Sequence, residues 1–240
     1  MKQKVFFATP TYAYHMCAEY VASMMMTCIH LTHLKVDVTA QVVGGLCFID
    51  LARNKLCTAF LASDATDLFF IDDDVGWDYK AVKRFLDYPQ DVVAGLVPKK
   101  VEGEAFHDNA LTGEIENGLI ASLEAPTAFM RIKRRAFEKI DIARPEFKEY
   151  LGLDTGTAYF QTGFAMNPDN KMDFRGEDIF FCRQWVAMGE KIWIDPQVDF
   201  THRGSKTWKG NFIEYAMAKG TITASKEDSW PVEQVSRTGT

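Results

Sequence analysis

Apolar and polar positions along the chain switch between a period near two and a period near 3.6, which predicts strands and helices in series. Residues 4–8 (Lys-Val-Phe-Phe-Ala) are a short strand closed by the turn-like Thr9-Pro10-Thr11. From about 14 to 34, Cys17, Val21, Met24, Cys28 and Leu31 recur at helical spacing. Residues 36–43 alternate as a strand and stop at Gly44-Gly45, and 50–62 return to helical periodicity. Residues 67–71 (Asp-Leu-Phe-Phe-Ile) carry the continuous apolar run expected of a strand buried on both faces. A helix over 78–88 and a second buried strand over 91–97 continue the series. The fold class this predicts is α/β: a single Rossmann-like domain with a mostly parallel central sheet flanked by helices.

The second half is less regular. Residues 101–125 hold glycines, glutamates and an Asn-Gly pair, which predict hairpins rather than a crossover helix. Residues 128–132 form a strand that leads into the basic turn Lys133-Arg134-Arg135 and a helix toward Ile140. No long element is expected over 145–176, a loop length that usually serves binding. A helix over 177–188 ends at Gly189, a strand over 191–194 stops before Pro196, and a last helix spans 211–219 ahead of Gly220. One domain is expected over 1–225, with a nucleotide-binding half to about 100 and an acceptor-binding half beyond it. A polar tail follows over 226–240.

Composition narrows the class. Of 240 residues, 47% are apolar and 25% charged, as in an ordinary globular chain. The net charge of −6 excludes a protein that coats nucleic acid non-specifically, but leaves room for a local basic cleft. Five scattered cysteines without a CxxC pair read as free thiols, mostly in the core, so a reducing, cytoplasmic compartment is expected. The apolar stretch over 14–34 is interrupted or flanked by His15, Glu19, His30, His33 and Lys35, so no membrane span is expected. Nothing points to an obligate protein partner.

Candidate chemistry gathers at a few positions. Asp72-Asp73-Asp74 follow the buried strand directly, at the carboxyl edge where open α/β sheets bind ligands. Three adjacent carboxylates repel one another unless a cation neutralises them, and hard oxygen ligands suit Mg²⁺ or Mn²⁺. A solvated acidic turn is the alternative. Glu177-Asp178 open an apolar helix, where the dipole favours carboxylates and where one could take a proton from an alcohol. His202 stands among Arg203, Lys206 and Lys209, a basic loop able to close over phosphates.

In order and spacing these pieces resemble the nucleotide-sugar-dependent glycosyltransferases of the GT-A fold, above all the family 2-like group, over residues 4–210. The resemblance rests on Ala8-Thr9-Pro10-Thr11-Tyr12, on Leu51-Ala52-Arg53-Asn54, and on the strand ending in Asp72-Asp73-Asp74, which is similar to the DxD signature. Residues 126–134, from Pro126 and Thr127 onward, and Gly176-Glu177-Asp178 complete it. The resemblance implies a metal-dependent enzyme that moves a sugar from a nucleoside diphosphate sugar, UDP-linked for preference, to a hydroxyl. Asp72, Asp74 and His202 would hold Mn²⁺ or Mg²⁺. Thr9, Pro10, Thr11, Tyr12, Arg53, Asn54, Asp72, Asp73, Thr127, Arg203 and Lys206 would contact the donor. Asp178, with Glu177 as its substitute, would be the base of an inverting displacement; a retaining enzyme is the alternative.

The chain departs from that pattern where the second strand ends in Val42-Val43-Gly44-Gly45, without the acidic residue that commonly holds the ribose or base. The acceptor could be a glycan, a small molecule or hydroxymethylated DNA. The last gains weight if the basic run Arg131, Lys133, Arg134, Arg135 and Lys139 lies beside the cleft. Rival classes are a phosphatase-like DxD enzyme and a non-catalytic sugar-nucleotide-binding module. Trp77 and Tyr12 are candidate stacking surfaces, with ordinary packing the simpler role for Trp77.

Overall fold

The computed structural model describes residues 2–103, 105–108, 110–149, 156–166 and 171–221. The predicted tail over 226–240 and part of the loop over 145–176 lie outside the described residues.

Chain order runs β1 (Lys4–Thr11), α1 (Ala18–His33), β2 (Asp37–Gly44), α2 (Ile49–Ala62), β3 (Asp67–Ile71), β4 (Val75–Trp77), α3 (Lys80–Asp87) and β5 (Val92–Gly95). The hairpin β6 (Leu111–Glu116) and β7 (Leu119–Ser122) comes next, then β8 (Phe129–Lys133) and α4 (Arg134–Ala143). After a 3-10 turn over Pro145–Glu149 come β9 (Gly163–Met166), β10 (Met172–Arg175), α5 (Glu177–Ala187), β11 (Ile192–Asp195), β12 (Asp199–Arg203), β13 (Thr207–Asn211) and α6 (Phe212–Ala218).

Eight strands form the central sheet in the order β2-β1-β3-β8-β5-β11-β7-β6. It is mostly parallel: only β7 and β8 run against the rest. Side-chain alternation along the strands sends neighbouring phenylalanines to opposite faces and so builds two cores. Phe6, Leu68, Phe70, Met130 and Ile132 pack in one with Leu56 and Phe60 of α2, Phe137 of α4 and Phe181 of α5. Val5, Phe7, Phe69, Ile71 and Phe129 pack in the other with Tyr20 and Leu31 of α1 and Phe85 of α3. β3 is buried along its whole length, which places its carboxyl end, and Asp72 after it, in the middle of the sheet's edge.

Three features differ from the sequence expectation. β8 inserts antiparallel between β3 and β5, so those two parallel strands are not neighbours. Residues 199–211 form a hairpin that pairs with the three-residue β4 in a separate sheet, which lifts His202 beside the aspartates. Of the cysteines, only Cys57 and Cys182 are buried; Cys47 is exposed, and Cys17 caps α1 by accepting the N–H of Tyr20 on Sγ at 3.2 Å. Among the described residues no helix is long and apolar enough to cross a membrane.

Candidate active site

A cleft of about 460 Å³ opens at the carboxyl ends of β1 and β3. Pro10, Thr11 and Tyr12 wall one side, Arg53 and Asp72–Asp74 form the floor, and Thr127, Glu177 and Asp178 stand opposite. Residues from five separate stretches of sequence therefore line one cavity.

Arg53 organises the floor. It is buried, and donates from Nε to Glu177 Oε1 at 2.8 Å and from Nη2 to Asp72 Oδ1 at 3.0 Å. Burial alone would lower its pKa, but Asp72 and Glu177 outweigh that and raise it above the ordinary value, so the guanidinium stays charged. Among the described residues Nη1 has no partner, and neither has the buried Oγ1 of Thr127. Buried polar groups are normally paired, so two orphans beside one cleft are unusual.

The three aspartates sit in different environments. Asp72 is held by Arg53. Asp73 accepts the Cys17 N–H on its backbone carbonyl, and its carboxyl pKa is raised by burial first, then by Asp74 and Asp72. For Asp74, burial pushes upward, but the hydrogen bonds of His202 and Lys100 prevail and lower it. His202 Nδ1 lies 2.7 Å from the carbonyl of Pro98, which only accepts, so Nδ1 carries the proton and Nε2 faces Asp74 Oδ1 at 3.4 Å. Fixing one imidazole nitrogen on a carbonyl leaves the other for a cation. Asp74 and His202 therefore fit a divalent ion by donor chemistry and proximity. Asp72, bound to Arg53, does not join them: no group of three His, Cys, Asp or Glu side chains placed to hold a metal occurs among the described residues.

Asp178 is half-buried at the start of α5. Its Oδ1 accepts the N–H of Ile179 at 2.7 Å, while Oδ2 takes no hydrogen bond among the described residues. Burial, then the neighbouring Glu177, pushes its pKa up to about 6. A carboxyl poised there can exchange a proton near neutral pH.

Several expected contacts fall elsewhere. Thr9 is buried and its Oγ1 shares a 2.6 Å hydrogen bond with the Tyr20 hydroxyl, so it braces α1 instead of lining the cleft. Asn54 spends both ends of its amide on the backbone of Phe160, at 2.8 and 2.9 Å. Lys206 pairs with Glu102 at 2.6 Å and is not in the cavity wall. Arg203 lines an adjoining cavity of about 470 Å³ with His15, Glu19, Asp73 and Asp74, so it reaches the aspartates from their other side. Trp77 is packing: its Nε1 donates to Thr27 at 3.0 Å and its ring meets Tyr20 edge-on.

The basic run lies away from the cleft. Lys133 pairs in register with Asp67, at the opposite end of β3 from Asp72. Arg131 is buried and donates to the carbonyls of Gln90, Phe85 and Tyr88, while Arg134 donates to those of Ala65, Leu61, Phe60 and Ser63. Arg135 and Lys139 both bind Asp91. Arg131 and Arg134 satisfy internal carbonyls that would otherwise be unpaired, and Arg135 and Lys139 are paired with Asp91, so the support the run offered for a polyanionic acceptor is removed. Lys100, which pairs with Asp74, and the Arg53–Glu177 contact were not foreseen from sequence.

No family model and no curated protein matches the sequence. Among solved structures the chain is similar to a glycosyltransferase involved in glycosylation of the major capsid of PBCV-1, with 10% identity and a TM-score of 0.35. That match covers 58% of this chain and 64% of the other, less than two thirds of its length. It is also similar to 4-diphosphocytidyl-2C-methyl-D-erythritol synthase from Anaerococcus prevotii, with 10% identity, a TM-score of 0.31 and coverage of 77% and 99%. Likeness of this extent defines no chemistry.

Proposed function

We propose that the chain is a glycosyltransferase that moves a sugar from a nucleoside diphosphate sugar, a UDP-sugar for preference, to an acceptor hydroxyl. The observation that carries this reading is the meeting of Asp178 with the Asp72–Asp74 cluster in one cleft, bridged underneath by Arg53. A proton acceptor tuned to about 6 thus faces a cluster suited to a cation and a diphosphate.

Asp74 and His202 would hold a Mn²⁺ or Mg²⁺ ion, which when bound supplies Lewis-acid stabilisation of the departing diphosphate. Arg203 adds positive charge on the far side of Asp73 and Asp74, where phosphate oxygens gain it. Thr11, Tyr12 and Pro10 offer the wall against which the nucleoside rests, with the phenol ring of Tyr12 exposed to it. Asp72 stays on Arg53, and Asp73, whose carboxylate already meets the Thr11 side chain, would accept from sugar or ribose hydroxyls on its remaining lone pairs. Thr127, whose hydroxyl lacks a partner, turns to the donor sugar. Asp178 takes the acceptor proton on Oδ2 as the acceptor oxygen attacks the anomeric carbon. The electron pair of the broken bond leaves with the diphosphate, and attack from the face opposite the leaving group inverts the configuration.

The test is thermal shift with UDP-glucose, UDP-galactose and GDP-mannose in the presence of Mn²⁺, followed by assay of nucleoside diphosphate release. At a hundredfold excess over Kd, a donor that binds only the native state adds about 2.7 kcal/mol of stability. The absence of a shift with every nucleotide sugar overturns the reading.

A further inference from the structure

Directly behind Asp178 lies another cavity of about 240 Å³, lined by His107, Ala110, Glu124, Ala125, Asp178 and Ile179. Pro126 and Asp178 belong to this wall and to the wall of the larger cleft, so the two cavities meet across this pair. Asp178 is therefore addressable from both sides.

The second cavity is rich in acceptors. Glu124 receives Arg175 and Arg183 on Oε1, at 3.1 and 2.5 Å, and its Oε2 has no partner among the described residues. Oδ2 of Asp178 is open as well. Ionised carboxylates only accept hydrogen bonds, so an occupant must bring O–H or N–H donors. His107 can donate or accept. Arg175 and Arg183 balance the charge of Glu124, but a carboxylate or phosphate entering here would bring no donor for Oε2 of Glu124 or Oδ2 of Asp178 and would lose its hydration to meet them acceptor against acceptor. A volume of about 240 Å³ has room for a single small polyol.

Building on the transferase reading, we propose that this cavity receives the acceptor, and that the acceptor is a small neutral or cationic polyol such as a monosaccharide or amino sugar. One hydroxyl points at Oδ2 of Asp178 and the remaining donors satisfy Glu124. In the transfer, that hydroxyl gives its proton to Asp178 and its oxygen bonds to the anomeric carbon. The bond from that carbon to the diphosphate breaks, and the electron pair departs with the leaving group. The basic run is consistent with this choice, because none of its residues lines the cavity.

The experiment uses the full chain with Mn²⁺ and the nucleotide sugar chosen among UDP-glucose, UDP-galactose and GDP-mannose by thermal shift. Nucleoside diphosphate release is measured with glucose, glucosamine, glucuronic acid or a duplex DNA oligonucleotide as acceptor. Glucose or glucosamine is expected to stimulate release at least tenfold more than glucuronic acid or DNA. Ala110→Trp, which fills the cavity from its rim, is expected to cut kcat/KM for that acceptor at least tenfold while the donor Kd is unchanged. Equal stimulation by glucuronic acid or DNA, no stimulation by either small sugar, or intact transfer in a folded Ala110→Trp variant each overturns the acceptor proposal. In all three cases donor binding still stands; failure of donor binding itself instead overturns the transferase reading.

Discussion

Arg53 donates from Nε to Oε1 of Glu177 at 2.8 Å across 124 residues of sequence. The same guanidinium reaches Asp72, so one buried cation ties the carboxyl end of β3 to the first turn of α5. The cleft's two acidic clusters are thus joined through one guanidinium, and the geometry depends on a fork that lysine cannot reproduce.

Replacing Arg53 with Ala leaves the buried Glu177 and the half-buried Asp72 without their shared cation. Breaking a buried pair in this way costs about 3–5 kcal/mol, which thermal or urea denaturation will read directly. Arg53→Lys is expected to recover part of that stability, because a point charge can serve Glu177 or Asp72 but not both in the same geometry.

Asp178 governs the pH dependence. Its folded pKa of about 6 lies above the ordinary 3.8, so a base on this residue is idle at low pH and works once deprotonated. The kcat/KM for transfer is expected to climb with pH through about 6 and then level off. The same shift has the opposite sign for stability: ionising a carboxyl that burial disfavours costs the folded state, progressively, as pH rises from 3.8 through about 6. Asp178→Asn should therefore raise the melting temperature above pH 6, by on the order of 1 kcal/mol after solvent screening, while it abolishes the pH-dependent rise in activity.

Much of this was legible in the residue pattern. The run Leu68-Phe69-Phe70-Ile71 can only be a strand covered on both faces, and that alone places Asp72 at the sheet's ligand edge. The start of α5 at Glu177 followed from an apolar helix opened by acids and closed at Gly189. The direction of β8 was not legible, because a buried strand reads the same whichever way it runs. β4 is three residues long, below what alternation can reveal, so the separate sheet that carries His202 went unforeseen. Asn54 and Arg131 were misjudged for a shared reason: polar side chains are normally exposed, and only the fold reveals which carbonyls they satisfy.

Arg131 and Arg135 separate structural from functional charge. Arg131→Ala should destabilise the chain by about 3 kcal/mol or more, since it strands several buried carbonyls. Arg135→Ala removes a partly exposed partner of Asp91 and should cost about 1 kcal/mol or less. Neither change should alter the salt dependence of acceptor use, which a titration of transfer rate against NaCl will measure.

The Asp74–His202 pair is expected to set metal affinity. His202→Ala and Asp74→Asn should each weaken Mn²⁺ binding by roughly tenfold to a hundredfold, read by calorimetry or by Mn²⁺ paramagnetic broadening on the protein alone. Lys100→Met should strengthen it, because the ammonium that now sits on Asp74 competes for the same carboxylate.

The most direct measurement pairs wild type with Asp178→Asn in one assay of a Mn²⁺-supported nucleotide sugar, following binding by calorimetry and diphosphate release by chromatography. Both proteins are expected to bind the donor with similar Kd, and the variant to lose about 10²–10⁴ in transfer rate. A wild-type chain that binds no nucleotide sugar, or an Asp178→Asn variant that transfers at the full rate, contradicts the proposed mechanism.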